Sequence, residues 1–322
     1  MIRVSHLTKR YGSHEAVSDL NFHIEKGAVY GFLGANGAGK STTMNIIAGC
    51  LSATSGTVLI AGHDLLKEPL KAKRAIGYLP EIPPVYMDMT PREYLKFVLE
   101  AKGIAKKEWA QQLNDAMEKT GITHMQNRLI RNLSKGYRQR VGIAQALLGN
   151  PEIIILDEPT VGLDPAQIKE IRALIRSLKE NHTVILSSHI LSEIQAVCDS
   201  VLIIAGGRIK FQGTAEDLKK HFWQKRRLHV LVSAMADEAL AILQEIPGIA
   251  HAETEERDGG TLIILRPEGT EDVRPLIFEA LKEHHIPLLE MTTQEATLEE
   301  VFLEVTGQDT PFHHEAKEEE TL

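Results

Sequence analysis

The sequence predicts an α/β domain spanning roughly residues 1–220, followed by a smaller α+β domain over 221–310 and an acidic tail over 311–322. Three observations predict it. Continuous apolar runs of strand length recur through the first part (AVYGFLG, IIIL, TVIL, VLII), the pattern of a sheet covered on both faces. Segments with helical spacing alternate with these runs from Pro151 onward. After HFWQKRR the order changes to strand, helix, strand, strand, helix, strand, which fits a small ferredoxin-like sandwich.

Residues 1–30 read as short strands, IRVSHL and VSDLNFHI, punctuated by Gly12 and Gly27. AVYGFLG is the first buried strand, and a glycine-rich loop after it opens a helix, STTMNIIAGCL, with Gly49 near its end. GTVLIAG and AIGYLP are further strands. From Thr90 the period changes: TPREYLKFVLEAKG puts Pro91 in a first-turn position and Tyr94, Leu95, Val98 and Leu99 on one helical face. Helical segments around 107–120 and 135–148 complete an insert over about 90–148. PEIIILDEP returns to a buried strand, and PAQIKEIRALIRSL, TVILSSH, ILSEIQAVC and SVLIIAG continue the alternation. TLEEVFLEV reads as a short helix closing the second domain.

Of the 322 residues 43% are hydrophobic and 25% charged, a globular composition long enough for more than one core. A net charge of -8 and only 5% aromatic residues argue against a nucleic-acid partner. The end HHEAKEEETL is expected to be solvated and disordered. Cys50 and Cys198 have neither metal nor disulfide spacing and read as buried thiols of a reducing compartment. The start MIRVSHLTKRYG lacks the apolar core of a signal peptide, and no apolar run approaches 18 residues, so the chain is not expected to cross a membrane by itself.

GANGAGKS, residues 34–41, matches G-x-x-x-x-G-K-[ST] between a buried strand and a helix, the context that motif requires. Gly34, Gly37 and Gly39 let the backbone wrap a phosphate, with Asn36, Ala38 and Thr42 in the same cradling run. Lys40 reaches β- and γ-phosphates, and the Ser41 hydroxyl takes a Mg²⁺ position at the helix start. The alternative, a plain glycine turn before a core helix, fits that context poorly. In IIILDEP, Asp157 ends a strand where it holds magnesium through water, and Glu158 is suited to orient or deprotonate an attacking water. By itself the acidic pair reads equally well as a strand cap before Pro159. LSKGYRQR, from Leu133, starts a further helix with a serine and cations; by itself it reads as a capped helix with a solvated basic face, while its helix start is also a second place that attracts an anion.

On these motifs, residues 1 to about 220 resemble the nucleotide-binding subunit of an ABC transporter. The resemblance implies a P-loop NTPase fold of ABC type, with an antiparallel β-subdomain and a helical subdomain, that binds ATP and Mg²⁺. LSKGYRQR corresponds to the family signature LSGGQ: Ser134 and Gly136 match, whereas Lys135 and Tyr137 depart. In the family that helix start meets the γ-phosphate of ATP held by the other subunit's phosphate loop, so the resemblance implies a homodimer enclosing two ATP. It further implies adenine stacking on Tyr11, contact of Asp164 in GLDP with the opposite site, and γ-phosphate sensing by His189. Read alone, Tyr11 is a core residue, Asp164 a helix cap and His189 a structural strand end. Glu81 in GYLPE stands where the family has glutamine; it can still bind magnesium or its water.

The function so implied is an ATPase that powers a separate transmembrane permease, of exporter type, from the cytoplasmic face of the cell membrane. A soluble ABC ATPase of translation or repair is disfavoured, because no second nucleotide domain or coiled coil is present. A dead-site regulatory module is disfavoured by intact Lys40, Asp157, Glu158 and His189, and a GTPase by the lack of N-K-x-D. EIPPVYMDMT, residues 81–90, with exposed-looking Val85, Tyr86 and Met87, suits a groove for a short permease helix and reads equally well as an ordinary loop entering the helical insert.

Overall fold

The computed structural model describes residues 1–214, 216–218, 227–233, 236–257, 259–268 and 272–294. The expected closing helix TLEEVFLEV and the acidic tail lie outside those residues. The chain divides into two compact units, the second beginning at Glu216, where the sequence placed a boundary near 221.

The first unit opens with β1 (Ile2–Tyr11), β2 (His14–Ile24), β3 (Val29–Leu33), α1 (Lys40–Ile47), β4 (Ser55–Ile60) and β5 (His63–Asp64). It continues with α2 (Pro69–Arg74), β6 (Ile76–Leu79), α3 (Pro91–Ala101), α4 (Lys106–Lys119) and α5 (Lys135–Leu147). β7 (Ile153–Leu156), α6 (Pro165–Leu178), β8 (Thr183–Ser188), α7 (Leu191–Val197), β9 (Ser200–Ala205) and β10 (Arg208–Gly213) complete it. Two sheets result: an antiparallel one ordered β2-β1-β4-β5, and a six-stranded one ordered β10-β9-β3-β8-β7-β6. In the larger sheet β10 alone runs antiparallel to its neighbour. β10 was not anticipated; its alternating half-exposed residues RIKFQG lack the apolar continuity that marks the inner strands.

The inner strands explain the strand predictions. β3, β7 and β8 are buried at every residue, as both-face coverage demands. Phe32, Ile155, Ile185 and Leu202 from this sheet pack with Leu7, Leu20 and Ile24 of the antiparallel sheet and with Met44 and Ile47 of α1 in one core. The helical insert follows its sequence pattern. Thr90 caps α3 through a reciprocal box with Glu93, Pro91 occupies the first turn, and Tyr94, Leu95, Val98 and Leu99 are buried. The pair is worth about 1 kcal/mol to the helix start.

The strand order has a consequence for function. β3, β8 and β7 are neighbours, with Leu33 in register with Ser188 and Leu156 with Leu186. The loops leaving their carboxyl ends therefore meet on one edge, where open α/β sheets bind ligands.

The second unit contains β11 (Arg227–Val232), β12 (Ile249–Arg257), β13 (Gly260–Pro267), β14 (Leu288–Gln294) and the helices Ala236–Gln244 and Arg274–Glu283. Its antiparallel order β12-β13-β11-β14, with a helix after β11 and another after β13, is the ferredoxin-like arrangement. Val230, Val232, Leu243, Ile263, Ile277 and Leu281 form its core.

The expectation of two buried thiols is corrected: Cys50 is exposed and Cys198 partly so. Cys50 lies past Gly49, whose positive φ of 71° turns the chain out of α1 toward solvent. Among the described residues no helix is long and apolar enough to cross a membrane.

One buried group makes stability depend on pH. His182, at the entry to β8, is 4% exposed, and its Nδ1 lies 2.7 Å from the Pro151 carbonyl oxygen. Burial holds its pKa below the ordinary 6.5 although the hydrogen bond works the other way. As pH falls below about 6.5 the unfolded chain therefore takes up a proton before the folded one does. Stability is expected to drop in that window, and His182→Asn should flatten that part of the pH dependence. Urea midpoints measured between pH 7.5 and 5.0 would check it; equal slopes in both proteins would assign the effect elsewhere.

Candidate functional site

β3 delivers the chain at Leu33 into the loop Gly34–Gly39, and each glycine has a geometric reason. A Cβ on Gly34 would sit 2.5 Å from the Ile204 carbonyl oxygen. Gly37 and Gly39 have φ of 81° and 106°, and a Cβ on Gly39 would also lie 2.7 Å from the Ala16 carbonyl oxygen. The left-handed Gly39 is the N-cap of α1 and carries no side-chain cap, so the first N–H groups of the helix are free to meet an anion.

Around this loop lies a cleft of about 580 Å³. From the loop it is lined by Asn36, Gly37, Gly39, Lys40, Ser41 and Thr42. Glu81, Glu158 and His189 reach it from the ends of β6, β7 and β8, and Tyr11 from the end of β1. Gly34 and Ala38 are buried in the loop, and Asp157 is 2% exposed beneath it. Tyr11 is 49% exposed, with Lys9 Nζ over its ring, 5.1 Å from the centroid. Exposure of that extent does not fit a core residue.

Lys40 is 5% exposed. Its ammonium donates to the carbonyl oxygens of Gly34 at 2.8 Å and Ala35 at 3.2 Å, and lies 3.4 Å from Glu158 Oε1. The other Glu158 oxygen is 3.0 Å from His189 Nδ1. Glu158 has φ of 48°, a left-handed conformation in which a side chain is rarely found, and its N–H donates to Ser187 Oγ at 2.8 Å. That turn departs from the path of β7 and aims the carboxylate at the lysine and the histidine. Strain of this kind costs of order 1–3 kcal/mol and persists where surrounding contacts over-determine it.

Asp157 Oδ1 accepts from Ser187 Oγ at 2.6 Å and from Ser41 Oγ at 3.2 Å. Burial raises the pKa of its carboxyl above the ordinary carboxylate range, the two hydroxyls offset part of that, and the carboxylates of Glu158 and Glu81 add to the push. A carboxyl so placed beside a hydroxyl at a helix start fits a divalent cation, whose charge would oppose both effects. Among the described residues no group of three His, Cys, Asp or Glu could hold a metal.

Three sequence-predicted residues lie apart from this cleft. Ser134 caps α5, accepting from the Tyr137 N–H at 3.4 Å, and is exposed. Asp164 caps α6, accepting from the Gln167 N–H at 2.9 Å. Both capped-helix readings are therefore geometrically real, and they belong to one surface. A Cβ on Gly136 would overlap the Gln167 side chain, and one on Gly162 would overlap the Lys135 ammonium. The signature helix start and the GLDP turn thus pack together within one chain. The departures are accounted for locally: Lys135 covers the Gly162 turn, and the Tyr137 hydroxyl is 3.1 Å from His124 Nε2.

Sequence reasoning missed Ser187, Ser188, Thr160 and Glu193, a polar group beneath the site, and His14, which lines the cleft. The run SSH carried a faint signal, since serines at the buried end of a strand need partners.

The pattern of the ABC transporter family matches residues 17–161, and that of the C-terminal domain of DrrA1-3-like ATP-binding proteins matches residues 213–306. The chain is 37% identical over 313 residues to the bacitracin transport ATP-binding protein BcrA of Bacillus licheniformis, covering 96% of this chain and 98% of that one. It is 32% identical over 308 residues to the linearmycin resistance ATP-binding protein LnrL of Bacillus subtilis, covering 95% and 98% respectively. Among solved structures, an ATP-binding subunit of an ABC transporter superposes with TM-score 0.63 at 31% identity, covering 69% of this chain and 93% of that one. The dimeric post-hydrolysis state of the ATP-binding cassette MJ0796, bound to ADP and Pi, gives 0.60 at 25% identity, covering 66% and 98%. With a phosphate loop, a buried aspartate and a glutamate gathered on one sheet edge, the chain belongs to the ABC transporter family as an ATP-binding subunit, and it is an ATPase.

Proposed function

We propose that two copies of this chain close head to tail around two ATP molecules and drive a separate transmembrane permease from the cytoplasmic face of the membrane. One observation carries this reading. The phosphate-loop cleft and the Ser134–Asp164 surface are separate on one chain, and neither Ser134 nor Asp164 lines the cleft. Each is half of a site that a second copy completes.

In that site the loop N–H groups and Lys40 bind the β- and γ-phosphates, which requires the ammonium to leave the Gly34 and Ala35 carbonyl oxygens. Release of Lys40 toward phosphate also frees Glu158 Oε1. Glu158 then orients the attacking water and accepts its proton, while His189, 3.0 Å away, steadies the carboxylate and faces the γ-phosphate. Tyr11 stacks on the adenine. Ser41 and Asp157 would hold Mg²⁺, with Glu81 acting through water; when bound, the ion neutralises charge developing on the phosphate oxygens. Outward transport is the reading taken from the relatives named for bacitracin transport and linearmycin resistance.

The permease contact is assigned to the segment after Glu81. Ile82 is 80% exposed, while Tyr86 and Met87 are about half exposed. Val85 is only partly exposed, so it is a poorer contact than its neighbours. The Tyr86 ring stacks edge-on with Phe97 at 5.4 Å, which joins the segment to α3 in one apolar surface. Ile82→Glu combined with Met87→Glu is expected to abolish transport in the assembled complex. The ATPase rate of the isolated subunit should stay within about twofold, since neither side chain supports the core. Transport at the parent rate in that variant would move the interface elsewhere.

A further inference from the structure

Beneath the cleft, Glu193 on α7 is 5% exposed. A buried carboxylate is costly unless it is paired and hydrogen-bonded. Two hydroxyls converge on its Oε2, from Thr160 at 2.6 Å and Ser188 at 3.0 Å, both themselves buried. Its Oε1 lies 3.9 Å from the Arg172 guanidinium. These partners sit on three different elements. Thr160 lies in the turn between Glu158 and Asp164, Ser188 precedes His189, and Arg172 is on α6, the helix that Asp164 caps. No hydrogen-bond or ionic partner of Glu193 belongs to the phosphate loop.

We propose that Glu193 is a positioning residue that holds the Glu158–Asp164 turn and the His189 loop in a single register through the Thr160 and Ser188 hydroxyls. One oxygen accepting from both loops makes their positions mutually dependent. When the water-orienting carboxylate is in place, so are the histidine beside it and the turn that faces the opposite subunit. This rests on the reading of Glu158 and His189 as the groups acting on the γ-phosphate.

Its signature is a split between binding and turnover. Glu193→Ala should lower kcat by about tenfold or more, the scale of a misplaced reacting group. The dissociation constant for ATP on the monomer should stay within about twofold, because none of the hydrogen-bond or ionic partners of Glu193 lies in the phosphate loop. Glu193→Gln has a carbonyl oxygen that can accept both hydroxyls and should restore most of the rate. Thr160→Val with Ser188→Ala should reproduce the loss, and adding Glu193→Ala to that pair should lower kcat no further. Thr160→Val alone removes only one hydroxyl from the turn and serves if Glu193→Ala does not fold; a several-fold lower kcat at constant ATP affinity is expected. All rates are taken on the full-length chain per folded molecule, with Glu158→Gln measured alongside. An unchanged kcat in Glu193→Ala, or in Thr160→Val where Glu193→Ala does not fold, overturns the proposal, as does ATP affinity falling in step with kcat. If Glu158→Gln slows hydrolysis while those variants do not, the positioning role alone fails. If Glu158→Gln is also unaffected, the reading of the site fails with it.

Discussion

Glu158→Gln is expected to bind ATP as the parent chain does and to lose hydrolysis by about 10²-fold or more, the contribution of a general base. The substitution changes little else. The side chain keeps its length in the left-handed turn, its N–H still donates to Ser187 Oγ, and one oxygen remains for His189 Nδ1. What it loses is the negative charge that draws Lys40 at 3.4 Å and would take a proton from water. With that attraction gone, Lys40 should turn to phosphate more readily, so ATP affinity is expected to hold or rise while turnover stops. A stable ATP-dependent dimer should accumulate, visible by size-exclusion chromatography. Single-turnover hydrolysis near the parent rate would remove Glu158 from the reaction and leave Asp157 or a bound water chain as the base. Lys40→Ala gives the opposite separation: it should weaken nucleotide binding itself.

Mixing two inactive variants, Lys40→Ala and Ser134→Arg, is expected to restore ATP-dependent dimerisation that neither shows alone. The geometry makes Ser134→Arg a clean lesion. Ser134 is exposed and its cap bond to Tyr137 is long, so the arginine costs about 1 kcal/mol of helix capping without entering the core. Gly136, by contrast, is buried against Gln167, and a side chain there would have to push the Gln167 amide aside. In a mixed dimer, the phosphate loop of the Lys40→Ala chain faces the signature of the Ser134→Arg chain, so both lesions fall in one site. The other site has its lysine and its serine. With Glu158→Gln in both chains to stop turnover, each homodimer should be silent and the mixture should dimerise. Normal dimerisation by Ser134→Arg alone would reduce Ser134 to the helix cap that the structure shows it to be. A silent mixture would mean that two intact sites are required or that Ser134 and Lys40 do not meet across subunits; size-exclusion of a dimer tethered through a flexible linker separates these.

What the sequence determined by itself was local. The phosphate loop is contiguous, and its conformation depends on glycines at positive φ and on a helix start, so eight residues specify both geometry and ligand. The inner strands were legible because both-face burial forces unbroken apolar runs, and α3 because Thr90, Pro91 and Glu93 mark its start. The second unit was legible as an order of elements, although pairing β11 between β13 and β14 needed the folded sheet. Tertiary structure alone decided which distant residues became neighbours. Strand order set β8 between β3 and β7, and so brought His189 within 3.0 Å of Glu158 and Ser187 under Asp157, contacts that span about thirty residues of chain. It also made Glu193 a buried partner of two loops, when a glutamate in the sequence LSEIQAV reads as a solvated helix position. Exposure of Cys50 and partial burial of Val85 were equally beyond reach. Motifs encode the groups that touch a ligand, because those bind through short-range backbone geometry. The residues that hold such groups in place answer to burial and to hydrogen-bond satisfaction, which exist only once the sheet has assembled.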